Sequence, residues 1–355
     1  MLTAERTKVE ASRLKEALKR LTPPRYGPDY VSFDGARVWS TGPGGVEVEA
    51  RVGEGSFPPV ALPRRPLLEL LEGVEGEVEV ALLEGRLLVR GGPLRAELHT
   101  APPFTLAVLE EEGEEVFRAG EDFLKALRSA LALGRRLTSH QAKVLVEVEE
   151  PRVRVAATDG YRLHLYTVRA EVFREGAYPL PAQAEEALKG LEGEVSFRLA
   201  WDGRALVAVG RDGRAGLPLA DGGFPPYRGV LPQVPPVGRI QAERKSLLEA
   251  LKRALVVAAP QNHPVRLQAG GGEVRVQALD EAWAPVSEEA LPGEGDGEVM
   301  VDGRFLKEAL EEVEGVGADL ALYPGPRAPL VEVRDGRFYA LIAGLLPPQN
   351  TGGQG

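Results

Sequence analysis

The chain has 355 residues, no cysteine, and 43 Lys and Arg against 53 Asp and Glu. That length calls for two or three domains, and the missing thiols exclude disulfides, cysteine nucleophiles and cysteine-bound metals. A net charge of −10 argues against general adhesion to nucleic acid; with no signal peptide and no apolar run long enough for a bilayer, a cytoplasmic protein without membrane partners is expected. In chain order, the first predicted helix covers residues 14–20, where Leu14, Ala17 and Leu18 make one apolar face. A glycine-punctuated helix end at 71–76 leads into an alternating strand at 78–80, and a hairpin at 82–89 turns on Glu84-Gly85. The acidic segment 110–115 is unsuited to regular structure and reads as a boundary. A second basic helix follows at 123–129, strands at 153–158, 195–197 and 205–209, and a Pro-rich boundary at 231–237. The third basic helix, at 247–253, precedes strands at 274–277 and 331–333, the latter closed by Asp335-Gly336. Residues 347–355, rich in Pro, Gly and Gln, are expected to be a disordered tail.

Two landmarks recur. The basic helix at Leu14 returns at Phe123 and Leu247, advancing by 109 and 124 residues; the helix end at Leu71 returns at Leu188 and Leu310, advancing by 117 and 122. Three units of about 118 residues therefore tile the chain, too long for solenoid repeats and right for whole domains. The predicted fold class is α+β: three similar domains at 1–112, 113–233 and 234–346, each with two helices packed on antiparallel sheet.

No catalytic constellation emerges. His99, His140, His164 and His263 lack metal-ligand spacing and read as surface or structural residues, so no metal is expected. Asp159 and Asp221 are the most tempting carboxylates, but each precedes glycine, where aspartate closes a turn through its own backbone bonds. The glycine run 270–272 precedes a strand, not the helix N-terminus that phosphate binding needs, and no nucleophile elbow is present. The reading is a non-catalytic protein that needs no cofactor.

Charge is segregated. Residues 6–21 hold six basic and two acidic side chains, and 121–136 and 243–257 each hold four and two, a surplus of eight positive charges against −18 for the remainder. One basic helix face would be ordinary solvated surface; three equivalent ones suggest a shared lining for phosphates, without base reading.

Two segments carry a resemblance. Ala156-Ala157-Thr158-Asp159-Gly160-Tyr161-Arg162-Leu163 resembles the ATDGHRL signature of the bacterial β sliding clamp, the processivity subunit of DNA polymerase III, and residues 221–232 resemble that family's DGRFPDYRRVLP segment. The resemblance implies the DNA clamp fold and a head-to-tail homodimer whose six domains ring double-stranded DNA. It further implies a tether for the polymerase III alpha subunit, a separate clamp loader, and other partners carrying a clamp-binding motif. Carried over by position, it assigns a partner-peptide groove to Thr158, Gly160, Tyr161, Arg162, Leu163, Pro225, Val230, Ala340 and Ile342. Alignment and charge together nominate Arg20, Arg25, Lys125, Arg128, Arg135, Arg136, Lys252 and Arg253 for DNA. Ring closure is assigned to the strand 95–100, with Ala96 and Leu98, meeting Val256 and Val257 of a second copy. The chain departs from the family pattern at Tyr161, which replaces a histidine, at Gln141, where an apolar residue is expected, and after Tyr339, where the family ends in MPMRL. A divergent paralog with restricted partners, or a monomeric DNA-associated scaffold, is the alternative.

Overall fold

A computed structural model of the chain describes residues 5–21, 29–111, 113–134 and 144–346. Of the residues nominated from the sequence, Arg25, Arg135, Arg136, His140, Gln141 and the tail 347–355 lie outside the described residues. The chain divides into two compact units, one formed by 1–155 and 168–224, the other by 156–167 and 225–355.

Six helices are described: α1 (Ala11–Arg20), α2 (Arg64–Leu70), α3 (Glu121–Gly134), α4 (Ala184–Leu188), α5 (Arg244–Val257) and α6 (Gly303–Glu312). The three basic landmarks fall on α1, α3 and α5, and the three glycine-punctuated landmarks fall at or just beyond the ends of α2, α4 and α6. The helices form because their apolar residues recur on one face. Ala11, Leu14, Ala17 and Leu18 of α1 are buried, as are Leu247, Leu251 and Ala254 of α5, while the lysines and arginines between them stay outside. Among the described residues, no helix is long and apolar enough to cross a membrane.

In the first unit, Glu5–Glu10, Glu77–Leu83, Arg86–Gly91 and Leu94–His99 form a four-stranded sheet in that order, every pair antiparallel. A nine-stranded sheet runs from Glu171–Val172 at one edge to Val60–Pro63 at the other. It is continuous because Gly213–Pro218 pairs antiparallel with Glu47–Arg51. Phe117, Phe123 and Phe197 stack beneath α3 with ring centroids 4.5–5.2 Å apart, anchoring helix to sheet. The segment 110–115, unsuited to regular structure by its composition, ends in a strand: Glu114 and Glu115 open Glu114–Ala119. Glu115 joins it because its carboxylate has an internal partner, Arg118, at 2.8 Å.

In the second unit the strand order is Arg162–Arg169, Phe338–Ala343, Leu330–Asp335, Gly317–Tyr323, Gly238–Glu243, Pro285–Asp302, Pro264–Gly270 and Glu273–Leu279. The 18-residue strand Pro285–Asp302 changes partner along its length. Its residues 285–292 pair with Glu273–Leu279, 293–296 with Gly238–Glu243, and 297–302 with Pro264–Gly270. Asp302 then caps α6, accepting from the Arg304 amide at 3.0 Å.

Candidate functional site

The turn that carries the family-like signature joins no chemistry but is fixed at almost every polar atom. Asp159 Oδ1 accepts from the amides of Tyr161 and Arg162, both at 3.0 Å, and Gly160 takes φ +85°. Thr158 Oγ1 donates to the Arg162 carbonyl at 2.7 Å and accepts from the Gly160 amide at 3.2 Å. Asp159 is thus a turn former, as the sequence suggested. The turn holds its tip outward: Tyr161 is 68% exposed, and its carbonyl accepts from the Ala343 amide at 2.8 Å.

Arg162 points the opposite way. Its guanidinium is 1% exposed, bonds Asp159 Oδ2 at 3.0 Å and Glu308 Oε2 of α6 at 2.5 Å, and lies 4.2 Å over the Phe305 ring. Arg162 therefore anchors the turn to α6. Phe305 and Glu308 were not recognisable as its partners from the residue pattern, because more than 140 residues separate them from Arg162 and neither belongs to a recurrent motif. Two residues on, His164 is buried edge-on against Phe338, 5.2 Å between centroids, with no hydrogen-bond partner for Nε2 among the described residues. Burial, reinforced by the Arg162 charge, pushes its pKa down to about 3, so this histidine is a neutral structural residue.

Strand register sorts the remaining groove residues. Arg162 lies opposite Ile342 and His164 opposite Ala340, so both apolar side chains share the face that α6 covers, and both are fully buried. Leu163, opposite Leu341, is buried on the other face. Pro225 and Val230 are exposed, Val230 at the end of the 3₁₀ turn Tyr227–Val230 whose Tyr227 is buried. The uncovered members of the set are thus Gly160, Tyr161, Pro225 and Val230, with Thr158 half-buried.

The basic helices divide in a similar way. Lys125 of α3 and Lys252 of α5 are exposed. Arg20 lays its stem over Gly190, where a Cβ would come within 2.8 Å of Arg20 Cδ. Arg128 turns inward, donating to Glu121 at 3.1 Å, to the Leu188 carbonyl at 3.1 Å and to the Leu191 carbonyl, and so ties α3 to the end of α4. Arg253 makes a bidentate pair with Glu289, Nε to Oε2 at 2.9 Å and Nη2 to Oε1 at 2.6 Å.

Two of the strand edges that are unpaired among the described residues lie in the first and third sequence repeats. One is Leu94–His99, at the end of the four-stranded sheet, where Leu98 faces its own sheet opposite Leu87 and is buried while Ala96 is half-buried. The other is the 285–291 stretch of Pro285–Asp302, which pairs on one side only. At the end of α5, Val256 and Val257 are 81% and 50% exposed.

No family model matches the chain. The curated Beta sliding clamp of Pseudomonas putida is 26% identical over 243 residues, covering 65% of this chain and 64% of that protein. The chain thus aligns with just under two thirds of that relative's length. The Beta sliding clamp of Proteus mirabilis is 29% identical over 263 residues, 70% of this chain and 68% of that protein. Among solved structures, the DNA polymerase III subunit beta of Pseudomonas aeruginosa superposes with a TM-score of 0.79 at 21% identity, covering 96% of this chain and 99% of that one. The beta subunit of Thermotoga maritima gives 0.78 at 16% identity, with the same coverage. The chain is thus similar in sequence to bacterial beta sliding clamps and has the fold of the DNA polymerase III subunit beta.

Proposed function

We propose that the chain is a non-catalytic DNA sliding clamp, a processivity factor of three similar domains that closes head to tail with a second copy around double-stranded DNA. One pattern carries the reading. The last strand of the second sequence repeat, Gly213–Pro218, extends the sheet of the first through Glu47–Arg51. The last strand of the third, Phe338–Ala343, pairs with Arg162–Arg169 of the second. The last strand of the first, Leu94–His99, pairs on one side only among the described residues, and so does the 285–291 stretch of the third. Applying the same rule once more joins these two edges between copies, a heterologous contact that closes into a ring when the rotation per copy is a half turn. Val256 and Val257 are the exposed apolar residues such a contact would cover.

In this arrangement α1, α3 and α5 face the duplex and supply sequence-independent phosphate contacts, Lys125 and Lys252 being exposed among the described candidates. Retention is topological, so a protein of net charge −10 stays on DNA without high surface affinity. A polymerase tethered to the ring rebinds intramolecularly. The exposed tip at Gly160 and Tyr161, with Pro225 and Val230, serves as the contact for short linear motifs of polymerase subunits and the loader. Sedimentation equilibrium is expected to give twice 38.2 kDa, and protein loaded on a closed circular plasmid is expected to be lost when the plasmid is cut. A monomer at every concentration, or equal retention on linear DNA, overturns the reading in favour of a monomeric scaffold.

A further inference from the structure

The sequence places Arg253 in the DNA-facing set, beside Lys252. The structure gives it other company. Arg253, Val256 and Val257 lie at i, i+3 and i+4 on α5 and therefore share one face of its last turns. Arg253 leaves that face to take both oxygens of Glu289. Glu289 stands opposite Val276 in the ladder, and Val276 is a buried core residue, so its side chain projects toward the helices. It belongs to the 285–291 stretch, whose second edge has no partner among the described residues. Glu288, next in sequence, adds a second carboxylate to the same edge, while the unpaired edge at the other end of the chain carries exposed Arg95.

We infer that Arg253 is a positioning residue for ring closure rather than a phosphate contact: it pairs with and orients Glu289, so that a second copy's Leu94–His99 edge covers the Val256–Val257 shelf without burying a lone carboxylate. The inference rests on the head-to-tail assembly proposed above. Its physical basis is the asymmetry of buried ion pairs: a pair whose partners satisfy each other is tolerated at an interface, whereas removing one partner leaves a charge that covering apolar surface cannot solvate. The hydrogen bond from Arg253 holds Glu289 below the ordinary carboxylate range, so the pair stays ionised at neutral pH. Lys252, one residue earlier and exposed, has no such acceptor among the described residues and remains the phosphate contact of this turn.

The test measures dimer dissociation by sedimentation velocity over a dilution series, alongside retention on closed circular DNA. Arg253→Met is expected to raise the dimer dissociation constant roughly tenfold or more, and the double variant Arg253→Met/Glu289→Gln to return it to within about threefold of the original. Arg253→Lys, which keeps the charge but not the two-pronged geometry, is expected to fall between them. Lys252→Glu is expected to weaken DNA retention while leaving the dimer intact. If Arg253→Met loses DNA retention with an unchanged dimer constant, or the double variant is no better than the single, the inference is overturned while the clamp reading stands. If the unaltered protein is monomeric throughout, both fall. The exchanged pair Arg253→Glu/Glu289→Arg covers the case in which Arg253→Met does not fold: a stable dimer there supports the pair's role, and dissociation to folded monomer counts against it.

Discussion

The same four-residue turn occurs in both units, and the two copies are put to different use. Asp34-Gly35-Ala36-Arg37 and Asp159-Gly160-Tyr161-Arg162 each place glycine at a left-handed φ, +89° and +85°. Each uses one aspartate oxygen for the two following amides and the other for the arginine guanidinium. Each closes with an amide-to-carbonyl bond from aspartate to arginine, at 3.2 and 3.3 Å. In the first unit the segment 52–57 folds over the turn: the amides of Val52 and Gly53 bond the Ala36 carbonyl, and that of Phe57 bonds the Asp34 carbonyl. In the second unit Gly160 has open space around it and Tyr161 projects outward. Even the arginines trade places, Arg37 being 43% exposed and Arg162 1%. The turn itself is a folding device; what makes one copy a candidate binding element is that no described residue covers its tip.

The largest expected contrast comes from the two arginines. Arg162→Met leaves Asp159 and Glu308 without their shared cation in a buried setting, and is expected to cost about 3–5 kcal/mol in chemical denaturation. Arg37→Met leaves half-solvated partners and is expected to cost about 1 kcal/mol. Equal losses would mean that the buried network on α6 does not fix the turn. The glycines invert the order. A Cβ on Gly35 would meet the Gly55 carbonyl oxygen at 2.9 Å and Thr7 Cγ2 at 3.0 Å on top of its backbone strain, so Gly35→Ala is expected to cost about 3 kcal/mol. Gly160→Ala meets nothing within 4 Å and is expected to cost about 1 kcal/mol, the left-handed strain alone.

How much of this was legible in the sequence depends on the range of the interaction. The three basic helices, the glycine-punctuated helix ends and hairpins such as Glu84-Gly85 follow from apolar spacing and turn chemistry, both local, and the structure places them at the expected residues. The signature turn was equally legible, since Asp-Gly closes on its own amides. The destination of each arginine was not. Counting charge along α3 and α5 cannot show that Arg128 turns to carbonyls of α4 or Arg253 to a distant strand, because those acceptors are supplied by tertiary packing. Nor did composition reveal that Ala340 and Ile342 face α6, since one residue of register decides between the two faces.

Acid should separate the two turns further. Two residues beyond its arginine the first unit carries Trp39, whose indole N–H donates to the Phe104 carbonyl at 2.9 Å; the second carries His164, buried with Nε2 unpaired among the described residues. A histidine held at about 3 when folded and at 6.5 when unfolded leaves the unfolded chain binding the extra proton between those values. Stability then falls as pH drops from about 6.5 toward about 3, by up to about 1.4 kcal/mol per pH unit. His164→Phe is expected to flatten that part of the curve in denaturation series from pH 7 to pH 4, and an unchanged slope would place the acid sensitivity elsewhere.

The smallest expected effect on stability is the most informative about function. Tyr161 stands on the turn without supporting it: the bonds that fix residues 158–162 come from backbone atoms and from Thr158, Asp159 and Arg162. Tyr161→Ala is therefore expected to change the unfolding free energy by less than about 0.5 kcal/mol. If the uncovered tip is what a partner's motif meets, the same substitution is expected to weaken a synthetic polymerase C-terminal motif peptide by roughly tenfold in titration calorimetry, as loss of an exposed aromatic anchor does. Peptide affinity that survives in Tyr161→Ala but falls in Arg162→Met would mean that the turn matters only as scaffold, in the second unit as in the first.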